Sequence, residues 1–220
     1  MNPVRRFSDE TGMYIDWNQL QDLPKIDTLV DVGVGPHGTP ELYERFTEAG
    51  IILIDPLIES SVAIKNQLHH RKVTFVCAAA GKSKGQQVIN VETTLERSTF
   101  LTVTSLNFEG NPVEQRLVEI KTLDEIIEDV QNSHFGSCGN LGIKIDTEGF
   151  ELDVVMGAKK TLPKAKFVIA EVRHNHVTFE GGYKFHEFNR EMSAQGFVLT
   201  KILTAKPFIA DLCFQPLADL

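Results

Sequence analysis

A β-branched run that ends in three closely spaced glycines constrains this chain more than any other feature. Leu29-Val30-Asp31-Val32 has the composition of a buried strand, and it runs directly into Gly33, Gly35 and Gly38. A helical pattern follows from Pro40 to Ala49. Strand, glycine turn and helix form the opening unit of a nucleotide-binding α/β sheet. The glycines let the backbone turn sharply and approach a ligand, while the helix N-terminus offers unpaired N–H groups.

The rest of the chain continues the alternation of strands and helices. Tyr14, Ile15, Trp17, Leu20 and Leu23 recur at near-helical spacing, so residues 1–27 read as a helical lead-in over one sheet edge, stopped by Pro24, ahead of a domain at 28–220. Ile51–Ile54 is apolar throughout, as a buried parallel strand should be, and ends in Asp55-Pro56 before a helix at Ser60–His70. Val73–Cys77 is a third strand, followed by the small residues Ala78-Ala79-Ala80-Gly81. Gln86–Val91, Phe100–Val103 and Leu117–Ile120 then read as a small antiparallel insertion where a simple doubly wound fold has one helix, with Ser105–Gln115 as a mobile loop. A helix at Thr122–Val130 precedes the fourth strand, Leu141–Asp146, which passes through Thr147-Glu148-Gly149 into another helix. Lys166–Ala170 is the fifth strand, ending at Glu171, and Tyr183–Gln195 is a helix stopped by Gly196. Two last strands, Phe197–Leu203 and Phe208–Phe214, are joined by only four residues, too few for a crossover helix, so they must be antiparallel neighbours.

Composition narrows the partners. A net charge of −8 argues against a nucleic-acid backbone, no apolar run is long enough to span a membrane, and three scattered cysteines suit a reduced, cytoplasmic protein. The glycine loop itself has two readings. Gly33-x-Gly35-x-x-Gly38 matches the dinucleotide fingerprint of a nicotinamide-dependent oxidoreductase, and Asp31-x-Gly33 with further glycine matches the first motif of S-adenosylmethionine-dependent methyltransferases. The closing hairpin favours the second, because the small methyltransferase sheet ends with a strand inserted antiparallel beside the fifth. A domain that binds this cofactor without catalysis is the non-enzymatic alternative.

Lys144-Ile145-Asp146-Thr147-Glu148-Gly149-Phe150-Glu151-Leu152, running on to Gly157-Ala158, resembles the K-I-D-x-E-G-x-E-L…G-A signature of FkbM-type methyltransferases. Val118–Asp124, Glu171, Gly196-Phe197 and Asp211–Phe214 follow the same family pattern, so the resemblance spans about residues 28–216. It implies a single-domain Rossmann-like class I sheet, mostly parallel with an antiparallel final strand. It further implies S-adenosylmethionine as cofactor and O-methylation of a hydroxyl on a small molecule or sugar. Two departures stand out: Asp55-Pro56 replaces the usual Glu-Pro, and Pro36-His37 sits within the glycine loop.

In such a sheet the ligand lies beyond the carboxyl ends of the strands. Asp31, Gly33, Gly35 and Gly38 are expected around the cofactor's methionine end. Asp55 is placed to hold the ribose diol or to cap the next helix, and Ala78-Ala79 leave room for the adenine or serve tight packing. Asp146, Glu148, Glu171 and His174 are the catalytic candidates, since a hydroxyl acceptor needs a base and any of the last three can supply one. Arg173 joins this edge as a counter-charge. His174-x-His176 with Asp146 and Glu171 also permits a hard-cation site, although no resident metal is expected.

Overall fold

The structure is a computed structural model that describes residues 14–65, 68, 72–103, 114–174 and 179–220. In chain order, Tyr14–Ile15 (β1) is followed by a 3-10 helix at Trp17–Asp22 and by Thr28–Val32 (β2), Pro40–Arg45 (α1), Gly50–Ile54 (β3), Ile58–Lys65 (α2) and Val73–Val76 (β4). The insertion contributes Ala79–Ala80 (β5), Gly85–Val91 (β6), Thr102–Val103 (β7) and Glu114–Lys121 (β8). After it come Leu123–Gln131 (α3), Leu141–Ile145 (β9), Glu151–Met156 (α4), Ala165–Arg173 (β10), Phe179–Glu180 (β11), Phe185–Ala194 (α5), Phe197–Ala205 (β12) and Ile209–Pro216 (β13).

The main sheet has the order β1-β12-β13-β10-β9-β2-β3-β4. From β10 to β4 every neighbouring pair is parallel, while β13 runs antiparallel to both β10 and β12. The closing hairpin thus inserts its second strand beside the fifth parallel strand, giving the expected class I methyltransferase sheet. All five residues of β2, β3 and β9 are buried, which is why these strands carry continuous apolar runs instead of alternation. One face packs Ile126, Val130, Val154, Val155, Phe188 and Met192 of α3, α4 and α5 over Val30, Ile143 and Val168. The other packs Leu20, Leu42, Tyr43 and Ile64 over Leu29, Ile51 and Phe167. Helix α3 begins with a capping box, in which Thr122 Oγ1 accepts from the Glu125 N–H and Glu125 Oε2 accepts from the Thr122 N–H.

Several elements depart from expectation. The described part of the lead-in is not one helix: Tyr14 and Ile15 pair with Ala205 and Thr204 along the open edge of β12, and only a 3-10 segment follows. Helix α1 ends at Arg45 and α2 starts at Ile58. The insertion is not a single antiparallel patch. Its sheet is β5-β8-β6 with β5 parallel to β8, and β7 leaves to pair with β11. Residues 105–113 of the expected mobile loop lie outside the described residues, and Glu114 and Gln115 belong to β8. The β7–β11 ribbon ties the insertion to the segment after β10.

Candidate active site

The glycine loop is shaped by what passes beside it. Gly33 ends β2, donating its N–H to the Ile54 carbonyl at 2.9 Å, while the Asp146 N–H bonds the Val32 carbonyl at 2.9 Å. Its φ is +79°, and a Cβ there would overlap the Asp146 carbonyl oxygen. A side chain would therefore drive apart the ends of β2 and β9. Asp55, at the end of β3, accepts the Gly35 N–H on Oδ2 at 2.9 Å and the Leu57 N–H on Oδ1 at 2.8 Å. It ties the glycine loop to the start of α2 and also lines the cavity. Burial pushes its carboxyl above the ordinary range against these two N–H groups.

An open cavity of about 520 Å³ lies over the strand ends. One end is apolar, with Leu57, Ala78–Ala80, Ile89, Phe100 and Phe150, the two rings 4.8 Å apart between centroids. The other end presents Asp146, Thr147 and Glu148. Leu95, Glu96 and Ser98 of the insertion form a further wall, linked to the glycine loop by His37 Nε2 and Glu96 Oε1 at 3.1 Å. The unusual Pro36-His37 pair thus meets the insertion at this rim.

Asp146, Glu148 and Glu171 each bring a carboxylate oxygen to within 4.8 Å of the others, close enough to share one cation or one proton. Local structure forces them together. Glu148 sits at φ +50°, with its carbonyl accepting the Thr99 hydroxyl at 2.7 Å. Buried Glu151 accepts the Thr147 and Gly149 N–H groups on Oε1 at 2.9 and 3.0 Å, folding the turn that carries Glu148. The Glu148 carboxylate pairs with Arg173, whose guanidinium lies 4.6 Å over the Phe179 ring of β11. Burial and then Asp146 push Glu148 up to about 7 in spite of Arg173. The same two causes, with Glu148 added, hold Glu171 well above the usual carboxylate range. Behind them, Lys144 Nζ is 3.3 Å from Asp146 Oδ2 and 2.9 Å from Asp211 Oδ1.

The structure therefore brings Gly33, Gly35, Asp55, Ala78, Ala79, Asp146 and Glu148 to the lining of one cavity, and Glu171 joins them through the acidic cluster. It does not bring Asp31, Gly38 or His174 there. Asp31 is 1% exposed and accepts the Tyr43 hydroxyl at 2.5 Å beneath the loop. Gly38 packs against that Tyr43 ring, where a Cβ would not fit. His174 Nε2 lies 3.1 Å from the Lys206 carbonyl, so its ring is engaged by the β12–β13 turn and not by the acids. His176 is outside the described residues. Sequence reasoning assigned no part to Lys144 or Tyr43. The signal for Lys144 was an ammonium set between Ile143 and Ile145 in a fully buried strand.

Residues 31–199 match the methyltransferase FkbM domain family. Solved structures similar to the chain include a methyltransferase FkbM from Methylobacillus flagellatus KT, at 14% identity and a TM-score of 0.49, covering 86% of this chain and 43% of that one. Another is magnesium protoporphyrin IX methyltransferase from Synechocystis PCC 6803 with bound SAM, at 9% identity and 0.47, covering 91% and 74%. A third is an O-methyltransferase family protein from Burkholderia thailandensis, at 10% and 0.47, covering 91% and 55%. The chain spans less than half the length of the Methylobacillus protein. No curated protein matches it. No helix among the described residues is long and apolar enough to cross a membrane.

Proposed function

The chain belongs to the methyltransferase FkbM family, and from that premise we propose that it transfers a methyl group from S-adenosylmethionine to a hydroxyl of a small molecule or sugar. Membership of that family supports a methyltransferase over an oxidoreductase. The cavity is suited to this cofactor. Gly33 and Gly35 bring bare backbone to the cavity lining, the apolar residues accept a flat ring, Asp55 adds a carboxylate, and the acidic cluster complements a cation. When bound, the cofactor supplies an electrophilic methyl group, so the protein's work is alignment, exclusion of water and removal of a proton.

Glu171 is assigned that proton. The observation that carries this is the division of cations among the three acids: Lys144 engages Asp146 and Arg173 engages Glu148, whereas Glu171 has no hydrogen-bonded cation among the described residues. A carboxylate held above its ordinary pKa is the stronger base once ionised, and a positive charge placed among the acids favours that ionisation. Glu171 would then take the hydroxyl proton as the acceptor oxygen gains the methyl carbon, whose bond to the cofactor sulfur breaks to leave the neutral thioether. Phe179 and Leu101 pack against Gly149, next to Glu148.

The test is Glu171→Gln in a labelled-methyl assay, with calorimetry against S-adenosylhomocysteine. Turnover should fall about 100-fold or more, the usual worth of a general base, with affinity changed only a few-fold. Wild-type turnover in the variant would remove Glu171 from the role. Tight NAD binding by the wild type without any response to S-adenosylhomocysteine would remove the methyltransferase reading itself.

A further inference from the structure

Lys144 lies near the carboxyl end of β9, in register between Asp31 of β2 and Ile169 of β10, and is 3% exposed. Its neighbours Ile143 and Ile145 are fully buried and apolar. An ammonium there is costly to desolvate, and an apolar side chain of similar length would pack as well. Its hydrogen bonds show what it is used for. Nζ holds Asp211 Oδ1 at 2.9 Å on the far side and reaches Asp146 Oδ2 at 3.3 Å on the near side. Asp211 is anchored in turn by Thr204, whose hydroxyl donates to Oδ2 at 2.5 Å and accepts the Asp211 N–H at 3.2 Å. The row Thr204–Asp211–Lys144–Asp146 therefore starts in the β12–β13 hairpin, crosses β10 within the sheet and ends at the cavity. Of its four members only Asp146 stands on the cavity wall.

We propose that Lys144 is a positioning residue: anchored by Asp211 and Thr204, it fixes the direction of the Asp146 carboxylate toward bound S-adenosylmethionine. This rests on the reading of the cavity as a methyltransferase cofactor site. An unrestrained carboxylate at a strand end is free to turn toward Arg173 or solvent. With one oxygen tied from below, Asp146 presents the other to the cavity. The fourth-strand acid thereby becomes a preorganised partner for the cationic end of the cofactor, and the hairpin that closes the fold doubles as the brace of its binding site.

The experiment uses the full chain and S-adenosylhomocysteine as probe. The double variant Lys144→Met/Asp211→Asn removes the brace and keeps the interior neutral. It should raise the calorimetric Kd and the KM for S-adenosylmethionine together by about tenfold, with the acceptor KM unchanged. Asp146→Asn alone should cost a similar factor, and adding it to the double variant should cost little more, because residues acting as one unit are not additive. A purely structural Lys144 would lower melting temperature while leaving the two losses additive, which would overturn the proposal, as would unchanged affinity in the double variant. Should that variant not fold, Thr204→Val loosens the row from its far end and should weaken binding about threefold, with no change overturning the idea. Wild-type protein that binds no S-adenosylhomocysteine would overturn the cofactor reading, and this inference with it. Wild-type binding with unaltered variants would overturn this inference alone.

Discussion

Replacing Gly33 by alanine should destabilise the fold far more than the same change at Gly35, two residues along the same loop. Both have positive φ, +79° and +54°, and both incur the left-handed backbone cost of about 1–2 kcal/mol. At Gly35 the cost ends there, because the nearest atom to an added Cβ is the Glu96 Cα at 3.9 Å. At Gly33 the Cβ overlaps the Asp146 carbonyl oxygen and lies 2.6 Å from its carbonyl carbon. An unstrained carbon–carbon contact is about 3.5–4.0 Å, so the two strand ends must part by about 1 Å. That movement stretches the 2.9 Å bond from the Asp146 N–H to the Val32 carbonyl out of range and pushes Gly33 toward β3, out of line with its own 2.9 Å bond to the Ile54 carbonyl. At about 1 kcal/mol each they bring the total to about 3–4 kcal/mol. For a chain of this size the loss corresponds to a fall of about 6–16 °C in melting temperature, against about 2–8 °C for Gly35→Ala. Thermal unfolding followed by circular dichroism, with urea titration at 25 °C, reads both. Equal losses at the two positions, or a Gly33→Ala protein as stable as wild type, would refute the argument that the β2 and β9 ends meet at Gly33.

Two further outcomes follow from groups away from the cavity. Burial pushes Asp31 up to about 6 despite the Tyr43 hydroxyl, so between pH of about 4 and about 6 the folded protein keeps a proton that the unfolded chain releases. The contribution of Asp31 to stability is full at low pH and is lost as pH rises through that window, by about 3 kcal/mol at most. Asp31→Asn should flatten this part of the pH–stability curve in urea titrations, and an unchanged slope would show that Asp31 is not the group responsible. Thr122→Ala breaks the capping box of α3 and should cost about 1 kcal/mol, or about 2–4 °C, in thermal melts. Its affinity for S-adenosylhomocysteine should match wild type, since Thr122 is not on the cavity wall.

Much of this architecture was legible in the linear sequence, for local reasons. Apolar runs of strand length marked β2, β3 and β9, and the four residues between the last two strands dictated an antiparallel hairpin. The Lys144–Leu152 segment pointed to the family. Gly33, Gly35, Asp55, Ala78, Ala79, Asp146 and Glu148 were expected at the strand ends, and that is where the chain places them. These inferences depend on the period of side chains along one element and on where parallel strands end, both properties of neighbouring residues.

Where sequence reasoning went astray, the deciding partner lay far away in the chain. Asp31 sits two residues from Gly33 and so seemed to belong to the cavity, but strand alternation turns it to the face where Tyr43 of α1 meets it. His174 follows Arg173 directly, yet the Lys206 carbonyl engages its ring. Phe100–Val103 reads as one more strand of the insertion, and only the three-dimensional fold pairs its Thr102–Val103 with Phe179–Glu180, 76 positions away at the Val103–Phe179 rung. Lys144 reaches Asp211 across 67 positions, and that contact turns a signature lysine into the brace of Asp146. Sequence pattern records which residues must be buried and in what order. Which buried charge meets which is set by strand order and register, and those are fixed by the packing of the whole sheet.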